Sequence, residues 1–231
     1  MAGMHDWLVP PGTPASVAVE GTAARFAVHR IYCVGRNYAE HTREMGGDPH
    51  RDAPFFFGKP ADALVASGES VPYPSRTGNF HHEIELVVAL ARGGRDIAVS
   101  EALDHVFGYA VGNDFTRRDL QHASRAAGQP WETSKGFDHS AAVGTLRPAD
   151  RGHVQRGRIW LNVNGALRQS ADVSEMTWKV PEIIAELSTF FELAPGDLIF
   201  TGTPAGVGAL SRGDLVEGGI EGLATLANRI Q

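Results

Sequence analysis

A chain of 231 residues is long enough for one large domain or two small ones, and 42% hydrophobic with 21% charged residues is the composition of an ordinary globular protein. The net charge of −6 speaks against a nucleic-acid binder and against a polybasic membrane anchor, and no apolar run approaches the roughly 20 residues that a membrane helix needs. The single cysteine, Cys33, forbids an intrachain disulfide and fits a reducing, cytoplasmic setting, while residues 1–14 lack the basic-then-apolar order of a secretory signal.

With 27 glycines and 13 prolines punctuating short apolar runs, the pattern predicts a β-rich chain. Residues 1–28 read as a peripheral N-terminal segment, interrupted at Pro10, Pro11, Gly12 and Pro14, with short strands at 17–20 and 24–28. A strand at 30–35 follows, in which Cys33 lies between Tyr32 and Val34 and reads as buried and inert. Residues 37–45 form a short helix stopped by Gly46-Gly47-Asp48-Pro49, and the polar stretch that follows makes 36–54 a mobile lid. Strands are expected from Phe55, at 83–91 and at 106–113, with a turn-rich stretch at 62–78 and a small helix near 100–105. Residues 116–127 are helical in character and end at Gly128. Alternation over 158–163 followed by Asn164-Gly165 signals a hairpin. The clearest helix is 180–193, with Pro181 in its first turn and an apolar stripe of Ile183, Ile184, Leu187, Phe190 and Phe191. Strands at 198–201 and within 214–228 close the chain. The expected class is α+β, predominantly β, with residues 29–231 as one catalytic domain.

Three acids carry the chemical reading. Glu83 and Glu85 lie two apart in His-His-Glu-Ile-Glu-Leu-Val-Val-Ala-Leu (81–90), so on a strand they share a face, with Ile84 and Leu86 on the other. Paired carboxylates repel unless a cation or a shared proton relieves them, and Asp114 at the mouth of a second strand would complete an all-oxygen site suited to Mg²⁺ or Mn²⁺. Alone, the pair also fits the solvated face of an antiparallel strand. His41 and Glu44, three apart on the 37–45 helix, either form a surface pair or a dyad in which the carboxylate fixes the imidazole tautomer for proton abstraction. Arg118 and Gln121 also stand three apart, with an arginine able to fork a carboxylate and an amide able to donate to an enolate or carbonyl oxygen. At least one of Arg117 and Arg118 reads as solvated. Lys135 reads as a surface charge, or beside a metal as a stabiliser of developing negative charge. The loop Phe-Thr-Gly-Thr-Pro-Ala-Gly-Val-Gly (200–208) lacks the ending of a P-loop; it is either a structural turn or a cradle in which Thr203 and amides hold a carboxylate. His81 shares the face of Glu83 and His82 points away. No zinc spacing and no G-x-S-x-G elbow is present.

In order, G-R-N-Y-A-E-H-T-R-E (35–44), H-E-I-E-L (82–86), N-D-F-T-R-R-D-L-Q (113–121), Lys135 and T-G-T-P-A-G-V-G (201–208) resemble the fumarylacetoacetate hydrolase family over residues 30–228. The stretches R-I-Y-C-V-G-R-N-Y-A-E-H (30–41) and P-F-F-F-G-K-P-A-D-A (54–63) are most similar to its acylpyruvase branch, as found in the gentisate pathway. The resemblance implies a mixed β-sandwich roll with a few short helices, a Mg²⁺ or Mn²⁺ site and a homodimer. By motif it implies Glu83, Glu85 and Asp114 as metal ligands, His41 and Glu44 as the lid dyad, and Arg118, Gln121, Lys135 and Thr203 as substrate-side residues, with Lys135 catalytic. Gly136-Phe137-Asp138-His139 departs from the pattern of many relatives. The implied activity is metal-dependent hydrolysis of a carbon–carbon bond in a 2,4-diketo acid, with fumarylpyruvate giving fumarate and pyruvate; the alternatives are an oxaloacetate decarboxylase, a 2-oxo acid isomerase, or a metal-stabilised β protein without catalysis. The partner is then a small diketo acid, with no nucleic acid and no membrane. A second carboxylate on the substrate asks for another cation, for which Arg36, Arg43 and Arg76 are candidates.

Overall fold

The computed structural model describes residues 8–10, 12–46, 48 and 53–231. Its centre is a mixed sheet in the order Phe55–Lys59, Ile31–Gly35, Leu198–Phe200, Ile84–Leu90, Val106–Asp114, Ala141–Val143 and Leu64–Ala66, with Arg147–Pro148 pairing beside Val106–Asp114. Two neighbour pairs run parallel, Leu198–Phe200 with Ile31–Gly35 and Ala141–Val143 with Leu64–Ala66; the others on this path are antiparallel.

The strand Ile84–Leu90 is buried along its whole length because both faces of this sheet are covered. Ile84, Leu86, Val88 and Leu90 point into a core shared with Ile159, Leu161, Val216 and Ile230 of a second sheet, ordered Ala166–Asp172, Arg158–Val163, Leu215–Ile220, Leu226–Ile230 and Ser70–Val71. Val87 and Ala89 point the other way, into a core closed by Val17, Val19 and Val28. Thus the segment read as peripheral is, from Ser16 onward, a packed cover: Ser16–Ala18 and Arg25–Ala27 pair as a small hairpin over that face. A third, short sheet joins Thr116–Arg117, Phe80–His82 and Gly208–Ala209 beside the acidic strand.

Local signals placed most elements. Asn164 and Gly165, at φ of 52° and 77°, make the two-residue turn between Arg158–Val163 and Ala166–Asp172. The helix Val180–Phe190 carries Pro181 in its first turn and buries Ile183, Ile184 and Leu187. Its predicted stripe is too long by two residues. Phe190 and Phe191 remain 60% and 41% exposed, resting at a tilt on Phe56 and Tyr32, because the helix ends there over the edge strand of the sheet. The stretch 116–127, expected to be helical throughout, spends Thr116–Arg117 on a strand pairing with Phe80–His82 before the helix Arg118–Ala126 begins. Near 100–105 the helix is a single 3₁₀ turn, Ala102–His105. The helix expected at 37–45 is Ala39–Glu44; of the loop expected to be mobile after it, residues 47 and 49–52 lie outside the described residues. Among the described residues no helix is long and apolar enough to cross a membrane.

Candidate active site

The strands Ile84–Leu90 and Val106–Asp114 pair antiparallel, so the start of one meets the end of the other, with Ile84 opposite Asn113 and Glu85 opposite Gly112. Two bonds lock that end: the Glu83 amide donates to Asn113 Oδ1 at 2.8 Å, and the Asp114 amide donates to the Glu83 carbonyl at 2.8 Å. Glu85 faces a glycine, and Asp114 follows two residues later on the same face, so no side chain separates their carboxylates. Carboxylate oxygens of Glu83, Glu85 and Asp114 lie within 4.8 Å of one another, all buried. The solvated-face alternative for Glu83 and Glu85 is thereby overturned, while Ile84 and Leu86 do turn to the opposite core.

Three buried cations surround these acids. Lys135 Nζ donates to Glu83 Oε2 at 2.9 Å, Asp114 Oδ2 at 2.6 Å and Thr116 Oγ1 at 2.7 Å, which uses all three of its hydrogens. Arg118 gives one arm to Glu83 Oε1, another to Gln121 Oε1, and its Nε to His81 Nδ1 at 3.3 Å. Lys59, which carries no role in the sequence reading, donates to the carbonyls of Phe115, Lys135 and Ser140, and its Nζ lies 2.7 Å from Asp114 Oδ1. That approach is an ion pair without hydrogen-bond alignment, so Asp114 Oδ1 is a buried acceptor with no donor. A lysine ending the apolar run Phe-Phe-Phe-Gly-Lys was the available sequence signal.

Burial raises both Glu83 and Glu85, but their neighbours differ. For Glu83, Lys135 and Arg118 outweigh burial and hold its carboxyl well below the ordinary range. Among the described residues Glu85 receives a single hydrogen bond, from the Gly202 amide at 2.7 Å. Burial, then Asp114 and Glu83, push its carboxyl well above the ordinary range. Lys135 is pulled down by burial and raised further by Asp114 and Glu83, so it stays charged. An oxygen-only set with one orphaned carboxylate oxygen and one carboxyl that ionises at a cost is a fit for a hard divalent cation. The sign of the linkage follows. A raised Glu85 stabilises the metal-free fold below the ordinary carboxylate range and loses that contribution as pH climbs through its folded value. Uptake of Mn²⁺ is therefore expected to release about one proton and to weaken about tenfold per pH unit on acidification below that value. Calorimetry in buffers of different ionisation enthalpy reads this directly, and pH-independent uptake would contradict it.

His41, on the helix Ala39–Glu44, is buried and lines the same pocket as the acids. Its Nδ1 sits 3.0 Å from Glu44 Oε2, and Glu44 Oε1 accepts from the Gly206 amide at 3.0 Å. Burial raises Glu44, yet the bond from His41 and the Gly206 amide together hold it below its ordinary value. An ionised Glu44 requires the hydrogen on Nδ1, so Nε2 is the basic nitrogen. The 200–208 loop is thus a clamp on the dyad as well as a turn. Gly206 is at φ +96°, and a Cβ there would lie 2.2 Å from the Arg168 carbonyl. Gln121 is oriented by elimination: arginine only donates, so Gln121 Oε1 faces Arg118 and its amide hydrogens are left for the pocket it lines. Thr203 also lines the pocket.

The outer wall is aromatic and cationic. Phe55, Phe57 and Trp131 form one side, and Arg36, His122 and Arg125 stand at the rim; among the described residues no acid besides Glu83, Glu85 and Asp114 belongs to the lining. Of the three arginines proposed for a distal carboxylate, Arg36 is at the pocket, Arg43 pairs with Glu40 on the surface, and Arg76 is elsewhere. Arg117 points away, over the Phe137 ring. His81 does act behind the acids, accepting from Arg118 and, lowered to about 4 by burial and that arginine, staying neutral. Cys33 is fully buried, and burial pushes its thiol well up, which keeps it inert.

Comparison with known proteins bears on this arrangement. The family profile described as fumarylacetoacetate (FAA) hydrolase C-terminal matches residues 30–231. The crystal structure of a fumarylpyruvate hydrolase from Pseudomonas aeruginosa in complex with Mn²⁺ and pyruvate superposes with a TM-score of 0.95 at 53% identity, covering 97% of this chain and 99% of that one. A fumarylpyruvate hydrolase of Ralstonia sp is 45% identical over 75% of this chain and 90% of its own length. The mitochondrial oxaloacetate tautomerase of Rattus norvegicus is 40% identical over 87% of this chain and 91% of its own.

Proposed function

Since the chain belongs to the fumarylacetoacetate hydrolase family, we propose that it is a metal-dependent hydrolase that cleaves the carbon–carbon bond of an acylpyruvate, with fumarylpyruvate as substrate and fumarate and pyruvate as products. One observation carries the reading: a buried all-oxygen acid cluster stands at the floor of a pocket whose wall holds a buried histidine oriented by a carboxylate.

Glu83, Glu85 and Asp114 would hold the ion, Mn²⁺ or Mg²⁺, which when bound supplies Lewis-acid polarisation of the substrate's carboxylate and 2-oxo group. Charge accounting favours an anionic ligand. The three acids and the three buried cations Lys59, Arg118 and Lys135 cancel, so a divalent ion leaves surplus positive charge that the carboxylate of a 2-oxo acid partly offsets. His41 Nε2 takes a proton from the attacking water while Glu44 holds Nδ1–H. The amide hydrogens of Gln121 and the hydroxyl of Thr203 donate to substrate oxygens. Arg118 fixes Gln121 and balances Glu83. Lys135 offsets the acids first, and reaches an oxyanion only by releasing one of its three present acceptors. The water's hydroxyl ends on the acyl carbon, and the methylene of the departing pyruvate gains a proton.

The far rim supports a diacid. A chain of seven carbons has six bonds, as many as two peptide residues, and spans about 7 Å. Arg125 stands seven residues beyond Arg118 on the same helix, about 10 Å along its axis. Arg125→Ala is expected to raise KM for fumarylpyruvate several-fold, up to about tenfold, and to leave acetylpyruvate unchanged. Equal effects on both would remove the rim from recognition. A panel of 2,4-diketo acids assayed for pyruvate release tests the activity as a whole; no release from any of them would refute it. Interconversion of oxaloacetate tautomers, the activity named for the rat relative, would need proton-handling groups but no attacking water; it releases no pyruvate and is read separately, by the ultraviolet absorbance of the enol.

A homodimer belongs to the same proposal, supported by the exposed rings of Phe190 and Phe191 beside the half-buried Phe56. A reducing compartment suits the lone buried thiol.

A further inference from the structure

Gln169 lies on the strand Ala166–Asp172, where it is the sole buried residue, and its accessible surface is nil. It belongs to no motif singled out above. Its side chain makes four hydrogen bonds, and two of them fix which way the amide points. The Ile84 amide can only donate, so the atom 3.1 Å from it is Oε1; the Pro204 carbonyl can only accept, so the atom 2.8 Å from it is Nε2. The other two bonds then have no freedom. Oε1 accepts from His82 Nδ1 at 2.9 Å, which places a hydrogen there. Nε2 donates to Thr203 Oγ1 at 2.8 Å.

The consequence falls on Thr203. A hydroxyl has one hydrogen, and with Gln169 filling an acceptor position that hydrogen has to go elsewhere. Among the described residues nothing accepts it, and Thr203 lines the pocket above the acids. We propose that Gln169 is a positioning residue that makes Thr203 an obligate donor to the substrate carboxylate, through the fixed chain His82, Gln169, Thr203. This rests on the reading of the pocket as a 2-oxo acid site. It also explains a glutamine on an otherwise exposed strand: it ties the second sheet to both the acidic strand and the 200–208 loop.

The test reverses the donor. Gln169→Glu keeps the size and the acceptor for Ile84 and His82, but offers Thr203 an oxygen, so the threonine hydrogen turns away from the pocket. Pyruvate binding to the Mn²⁺-loaded protein, measured by calorimetry, is expected to weaken about tenfold, with KM for fumarylpyruvate rising by a similar factor and kcat within about threefold. Thr203→Val is expected to do the same, and the double variant to be no worse than the weaker single, because both remove one hydrogen bond. Should Gln169→Glu not fold, Gln169→Met removes the donor without a buried charge; its effect on pyruvate binding is expected to vanish in the Thr203→Val background. Unchanged pyruvate binding in the Gln169 variants, effects that multiply with Thr203→Val, or a loss of Mn²⁺ affinity that accounts for the change would each overturn the proposal. If the wild type binds pyruvate with Mn²⁺ but cleaves no diketo acid, the hydrolase reading fails and the Gln169 test still runs; absence of pyruvate binding takes both down.

Discussion

Glu85→Gln is expected to abolish divalent-ion binding and lower turnover at least about 10³-fold, the worth of several kcal/mol of Lewis-acid stabilisation, while the metal-free protein folds as stably as the wild type or more so. The reason is the asymmetry among the three acids. Glu85 has no cationic hydrogen-bond partner, and its ionisation is opposed by burial, Asp114 and Glu83. A glutamine keeps an acceptor for the Gly202 amide and removes the repulsion. Glu83→Ala also loses the ion, but for a different total cost. It strips Arg118 of its carboxylate and Lys135 of one of two, leaving buried charge uncompensated at about 3–5 kcal/mol. Thermal melting in chelator, run beside Mn²⁺ titration, separates the two variants. Full metal occupancy in either would remove the acid cluster from the account, and equal destabilisation by both would remove the asymmetry.

His41→Ala is expected to lower kcat by roughly 10²–10⁴, the usual worth of a positioned general base, with Mn²⁺ and pyruvate still bound. The histidine contacts neither the acids nor their cations by hydrogen bond; its one described partner is Glu44, which the Gly206 amide holds from the other side. Because Glu44 is held below its ordinary value, its support of the dyad is present at neutral pH and is lost only as pH falls through that lowered value. Single-turnover kinetics of the variant at saturating Mn²⁺ give the number. Wild-type kcat in that variant would exclude the dyad from catalysis.

The parts of the fold that announce themselves locally were legible. Asn164-Gly165, Pro181 and the apolar runs at 84–90 and 106–113 each carry a backbone or burial preference in a few residues. The packing of the N-terminal segment was not legible because its strands are only three residues long and follow a proline-rich stretch, and only the sheet shows that Val17, Val19 and Val28 complete a core. Phe190 and Phe191 misled because helical spacing says which residues share a face and not where the neighbouring sheet ends.

The site divides in the same way. Glu83, Glu85 and Asp114 were visible since strand periodicity and short motifs place like charges together, a costly arrangement that calls for a reason. Lys59 and Gln169 were not. A lysine after three phenylalanines and a glutamine in an exposed strand have no periodicity of their own, and their partners lie 55 to 81 and 34 to 87 positions away. Arg118 shows a subtler limit. Its sequence context suggests a grip on substrate, whereas the structure turns all three guanidinium nitrogens to Glu83, Gln121 and His81.

Pyruvate release from fumarylpyruvate, followed before chelation, after chelation and after Mn²⁺ is restored, bears most directly on the whole account. One pyruvate and one fumarate per substrate, loss of turnover without the ion and recovery with one Mn²⁺ per chain are the expected results; undiminished turnover in the chelated protein, or ion-independent release in Glu85→Gln, would contradict it.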